Sequence, residues 1–110
     1  MRKTDERLRD ILEAIERIEK YHALGHTEFV ANELIQNWMV HHLQIIGEAI
    51  RGLPPQFREQ HPQIPWAQVI GMRNILVHDY FGVNLNIVWN AVVDDLPPLK
   101  RSIQELIGNG

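Results

Sequence analysis

The alternation of apolar and polar positions is helical from end to end. Leu8, Ile11, Leu12, Ile15 and Ile18 fall at i, i+3, i+4, i+7 and i+10, with charges on the opposite face, the period of an amphipathic helix. Thr4 or Asp5 is placed to cap this segment and Gly25 to stop it, so a first helix is expected over about residues 5 to 23. Thr27 would cap a second helix with Glu28 in its first turn. Its apolar arc is Ala31, Leu34, Ile35, Trp38, Met39, Ile45, Ile46, Ala49 and Ile50, and Gly52 with Pro54-Pro55 ends it. Residues 53–64 read as the one long connection. Pro65 suits the first turn of a third helix carrying Trp66, Val69, Ile70, Met72, Leu76 and Val77, which ends near His78 to Phe81, with Gly82 as its breaker. Asn84 is the cap of a fourth helix that carries Ile87, Val88, Ala91 and Val92. Pro97-Pro98 should kink or break that run, because an interior proline removes a helix hydrogen bond and clashes one turn back. Asp95 would then cap a last piece that turns Leu99, Ile103, Leu106 and Ile107 inward. No strand, hairpin or repeat signal interrupts the pattern. The expected fold is therefore all-α, an up-and-down bundle of four to five helices in one domain spanning residues 1–110.

Composition narrows the chemistry. The absence of cysteine removes disulfide frameworks, thiolate metal sites and cysteine nucleophiles. Apolar runs reach only about three residues, as in Ile75-Leu76-Val77, far short of the roughly 20 needed to cross a bilayer. Residues 1–7 lack the apolar stretch of a signal peptide, so a cytoplasmic location without membrane attachment is expected. The net charge is −3, and six of the eleven basic residues lie in the first 20. Phosphate chemistry would rest on a few placed cations and not on a broad basic field.

The stretch Arg73-Asn74-Ile75-Leu76-Val77-His78-Asp79-Tyr80 carries the candidate chemistry. On a helical wheel at about 100° per residue, Arg73 falls within about 60° of Trp66, Val69, Ile70 and Val77, on the apolar arc. A guanidinium there needs a carboxylate, with Glu48 or Asp79 as candidates, or an anionic ligand. Asn74 and His78 are four apart and share a side. A helix-end histidine also favours the helix dipole, and Tyr80 with Phe81 can be core, so a structural ion pair and a reactive site both fit this pattern. On the second helix Asn37, His41, Gln44 and Glu48 form a polar stripe best read as a solvated face. His41 and Glu48 lie two turns apart, too far for an easy shared ligand site, so no metal site and no cofactor is expected. His22, His26, His42 and His61 read as helix-end or loop residues without a role.

These residues resemble the Arg-x4-His-x-Tyr pattern of HEPN domains (higher eukaryotes and prokaryotes nucleotide-binding). Pro65-Trp66 before the motif, Phe81 after it, Ile45-Ile46-Gly47-Glu48-Ala49 upstream, and Trp89 with Asp95-Leu96-Pro97 downstream are similar to the HepT toxin branch over nearly the whole chain. The resemblance implies a dimerising helical bundle and an endoribonuclease that needs no metal, acting on tRNA or mRNA as one half of a type VII-like toxin–antitoxin pair. It implies Arg73 and His78 as catalytic residues with Asn74 in support. It also implies a minimal nucleotidyltransferase antitoxin, MntA-like, that transfers AMP from ATP to Tyr80, with a homodimer or a larger hetero-oligomer as the assembly. Metal-free cleavage would use the neighbouring 2′-hydroxyl and leave a 2′,3′-cyclic phosphate, with His as proton carrier and Arg stabilising the phosphorane-like charge. Each chain has one motif histidine, so a two-fold dimer would supply the second. Ala67 and Gly71 form a small-residue strip suited to part of that contact. The alternative from another class is a non-catalytic HEPN dimer that binds a nucleotide or the nucleotidyltransferase.

Overall fold

The computed structural model describes residues 3–71 and 84–108, and every regular element among them is helical. Helices α1 (Thr4–His22), α2 (His26–Ala31), α3 (Glu33–Arg51) and α4 (Pro55–Gln60) come first. A fifth, α5, starts at residue 66 and is described as far as 71. Helix α6 (Leu85–Asn90), a π-helical turn (Ala91–Asp95) and α7 (Leu96–Gly108) complete the chain. The all-α bundle expected from the periodicity is the fold that forms.

The centre of the bundle is the α1–α3 pair, against which α7 and α6 are laid. Leu8, Ile11, Ala14, Ile15 and Ile18 of α1 are buried, as the spacing required. They face Ile35, Met39, Leu43, Ile46, Ala49 and Ile50 of α3, and Leu99 and Ile103 of α7 close the core. Each fully buried isoleucine or leucine contributes about 1.5–3 kcal/mol relative to exposure, so this seam dominates the stability. Ring contacts fasten the rest. Trp38 donates its Nε1–H to the Arg17 carbonyl (2.9 Å) and meets Tyr21 edge-on at 5.2 Å. Trp89 stands between His22 (5.0 Å), His26 (5.0 Å) and Phe29 (5.1 Å), which clamps α2 to α6. The two histidines read as roleless therefore pack on an indole.

Several local expectations are corrected. Helix α1 begins one residue early, with the Lys3 backbone N–H donating to the Glu6 carboxylate at 3.3 Å. The second helix is two. Gly25 takes a positive φ of 93° and precedes α2, so Thr27 lies inside the helix. Asn32 (φ −124°, ψ 105°) then interrupts the run, and its side-chain oxygen accepts from the backbone of Leu34 (3.0 Å) and Ile35 (3.4 Å). Asparagine satisfies the orphan N–H groups of a new helix better than it serves in a helix interior. This break leaves Leu34 79% exposed, off the apolar arc assigned to it. The connection 53–64 contains α4, started by Pro54 and Pro55, where a missing N–H costs nothing.

The prolines at 97 and 98 do not break their helix. Helical bonding widens just ahead of them, and the Leu96 N–H reaches back five residues to the Ala91 carbonyl. A π turn there relieves the clash that Pro97 would make with the carbonyl one turn earlier. The run continues, so Asp95 has no helix start to cap. The Asn84 cap is as expected, accepting from the Asn86 N–H at 2.8 Å.

Candidate functional site

Arg73, Asn74, His78, Asp79 and Tyr80 lie outside the described residues. Their surroundings are defined by the elements on either side, α5 before them and α6 with the π turn after. Trp66 and Val69 are buried and Ile70 is half-buried, so α5 does present its apolar arc inward up to the edge of the motif. The Trp66 indole N–H donates to two carbonyls at the end of α4, those of Arg58 (3.1 Å) and His61 (3.0 Å). On the other flank the Gln68 amide donates to Asp95 Oδ1 at 3.3 Å, tying α5 to the π turn. Burial, with the Asp94 charge beside it, pushes the Asp95 carboxyl above its ordinary range.

Residues 67, 68 and 71 form an outward ridge on α5. Ala67 and Gln68 are exposed, and among the described residues nothing lies within 4 Å of where a Cβ on Gly71 would stand. Two open grooves share this ridge. One, of about 490 Å³, is acidic and includes Asn90, Asp94 and Asp95. The other, of about 670 Å³, runs between α4 and α5 and includes Arg58, Pro65, Trp66 and Ile70. Arg58 is half-buried, its Nε is fully enclosed without a hydrogen-bond partner, and no carboxylate among the described residues pairs with it.

Of the α3 stripe, Asn37, His41 and Glu48 are exposed and Gln44 is half-buried. Glu48 stands on the outer face of α3. Among the described residues no three His, Asp or Glu side chains group as a metal-ligand set, and no helix is long and apolar enough to cross a membrane. His42 departs from its helix-end reading. It is mid-helix and 3% exposed, 4.3 Å from the Trp38 ring, with Nδ1 2.7 Å from the Trp38 carbonyl. Burial lowers its pKa below the usual 6.5. Arg58 and Gln68 carried no assignment in the sequence, and Asp95 stood there only as a helix cap and as part of Asp95-Leu96-Pro97. Pro54-Pro55, a proline pair that can open a helix, was the available signal for α4 and hence for Arg58.

The family model of HepT-like ribonucleases matches residues 11–106. A probable ribonuclease HepT from Thermococcus cleftensis is 39% identical over 100 residues, covering 90% of this chain and 91% of that protein. A protein provisionally named as an RNase from Methanocaldococcus jannaschii is 40% identical over 98 residues, 88% and 90% of the two chains. Another so named, from Caldanaerobacter subterraneus, is 38% identical over 90 residues, 82% and 80%. No solved structure gives a significant match. The chain is thus an all-α HEPN domain. It belongs to the HepT-like ribonuclease family.

Proposed function

We propose that the chain is a toxin endoribonuclease whose active site is built from Arg73 and His78, with Asn74 in support. The observation that carries this reading is the uninterrupted Arg73-x4-His78-x-Tyr80 motif within a family match that spans residues 11–106. RNA cleavage without a metal needs a base for the 2′-hydroxyl proton and an acid for the leaving 5′-oxygen. As the O2′–P bond forms and the P–O5′ bond breaks, one imidazole takes the first proton and a second imidazole supplies the other. The products are a 2′,3′-cyclic phosphate and a free 5′-hydroxyl. One motif histidine per chain makes a homodimer the economical assembly, with two Arg73 guanidinium groups around the phosphorane-like charge. The open ridge at Ala67 and Gly71 supports close approach of a second copy on this side.

Tyr80, two residues beyond His78, is the acceptor for AMP from a minimal nucleotidyltransferase antitoxin. A phosphodiester-linked AMP adds negative charge near Arg73 and blocks the RNA phosphate, by the logic that makes phosphorylation a switch. The pair acts in the cytoplasm on tRNA or mRNA.

The test is cleavage of total RNA in EDTA by purified wild type and by His78→Ala. Wild type should cleave and His78→Ala should lose at least about 100-fold, the usual weight of a proton-transfer group. Equal residual cleavage by the two rejects the assignment. Incubation with the nucleotidyltransferase and ATP should add whole AMP units to wild type and none to Tyr80→Phe.

A further inference from the structure

The groove between α4 and α5 contains a cation that no carboxylate among the described residues pairs with. A guanidinium is strongly polar at every nitrogen, and an enclosed N–H without an acceptor is costly to keep. In Arg58 the Nε is enclosed and unpartnered, and the side chain lines a groove of about 670 Å³. The backbone beneath it is fixed. Trp66 Nε1 holds the carbonyls of Arg58 and His61, and Phe57 stacks on His61 at 4.7 Å. The backbone at Arg58 is thus set in advance by the helix that leads into the motif, which lowers the ordering cost of binding an anion there. Among the described residues the groove reaches Gly71, two residues before Arg73 in the sequence. Across the ridge the companion groove carries Asp94 and Asp95, which repel an anion. A polyanion reaching this surface is accepted on the α4 side and refused on the π-turn side.

We infer that Arg58 and this groove form a phosphate subsite for the single-stranded flank of the RNA substrate. This rests on the ribonuclease reading and extends it to substrate binding. Arg58 holds a non-scissile phosphate, and Pro65 and Ile70 give the sugar an apolar wall. The buried Trp66 ring supports the groove from behind and offers no free stacking face. With a net charge of −3, the protein places the flanking phosphate by this cation and the acidic barrier beside it.

The experiment measures binding of a fluorescent 2′-O-methyl RNA oligonucleotide, which has no 2′-hydroxyl to attack, over a series of salt concentrations. The proteins are wild type, Arg58→Gln, Arg58→Lys and Asp94→Asn, each first checked for helicity and Tm. Arg58→Gln should weaken Kd about tenfold and lower the slope of log K against log salt by about 0.7, one single-strand phosphate contact. Arg58→Lys should restore the slope and most of the affinity, and Asp94→Asn should bind as tightly as wild type or tighter. Unchanged Kd and slope in a folded Arg58→Gln overturns the subsite while leaving the ribonuclease reading in place. So does an Arg58→Lys as weak as Arg58→Gln with a lowered Tm, which marks a structural arginine. A wild type that neither binds nor cleaves RNA overturns both.

Discussion

His42 and Arg58 are both polar side chains set into the bundle, and they are treated in opposite ways. His42 lies in the α1–α3 seam, stacked by Trp38, with Nδ1 on the Trp38 carbonyl at 2.7 Å. Arg58 lies at the α4–α5 joint with its Nε enclosed and unanswered. The first arrangement is complete within the fold, because a buried polar group that meets its partner costs little. The second has an enclosed Nε without a partner and no paired carboxylate among the described residues, and a buried donor left unmade is costly. The difference separates a region built for stability from one built to bind.

The largest effect expected on the stability side comes from the core. Ile46 is fully buried between α1 and α3. Ile46→Ala should cost about 3 kcal/mol, within the range of roughly 2–5 for such truncations. Urea unfolding should show this, while RNA affinity of the folded fraction stays unchanged. A loss of affinity at constant stability would erase the boundary between the two regions.

Trp66 joins them, so its substitution should move both observables. Trp66→Phe keeps most of the buried ring and removes the indole N–H. The carbonyls of Arg58 and His61 still accept from the backbone N–H groups of His61 and Ile64 (both 3.2 Å), so the stability cost should be modest, about 1 kcal/mol. The larger sign should be in RNA binding, several-fold weaker, because Arg58 is no longer held. A drop in stability with unchanged Kd would show that the indole serves folding only.

The sequence exposed the parts of this molecule that depend on short-range rules. The buried stripe of α1 follows from Leu8, Ile11, Ile15 and Ile18, the Asn84 cap from its position, and the inward turn of Leu99 and Ile103 from their spacing. What it concealed depends on competition. Asn32 breaks a strong apolar run because its side chain answers two N–H groups, which outweighs one more helical bond. Pro97 and Pro98 are accommodated because the turn before them widens, a backbone response that residue counting does not contain. At the candidate site the motif was legible as chemistry, yet its cation partner in the groove was not. Arg58 lies in a proline-rich stretch that resembles a linker, and its pairing state is a matter of tertiary contact.

The smallest effect at neutral pH, and the sharpest test of the stability side, is the titration of His42. Its Nδ1 lies on a carbonyl, so Nδ1 carries the proton in the neutral ring and acid must protonate Nε2. Burial disfavours the charged form. The nearby His41 and Arg17 act in the same direction, while the Trp38 carbonyl and Glu13 oppose them without reversing the shift. Asp10, Glu13 and Arg17 of α1 line the cleft at this histidine. The folded pKa is below the unfolded value of 6.5, so the unfolded chain binds the proton more readily. The stability from neutral His42 is therefore complete above about pH 6.5 and declines as pH falls toward the lowered folded pKa. The slope from this one group is at most about 1.4 kcal/mol per pH unit. Urea unfolding of wild type and His42→Gln at a series of pH values from neutral into the acid range isolates it, since glutamine does not titrate. The difference between the two curves should be flat above that point and should move against wild type below it. A difference that stays flat throughout would mean that His42 accepts its second proton in the fold as easily as in water, and the α1–α3 seam would then be no more closed to charge than the Arg58 groove.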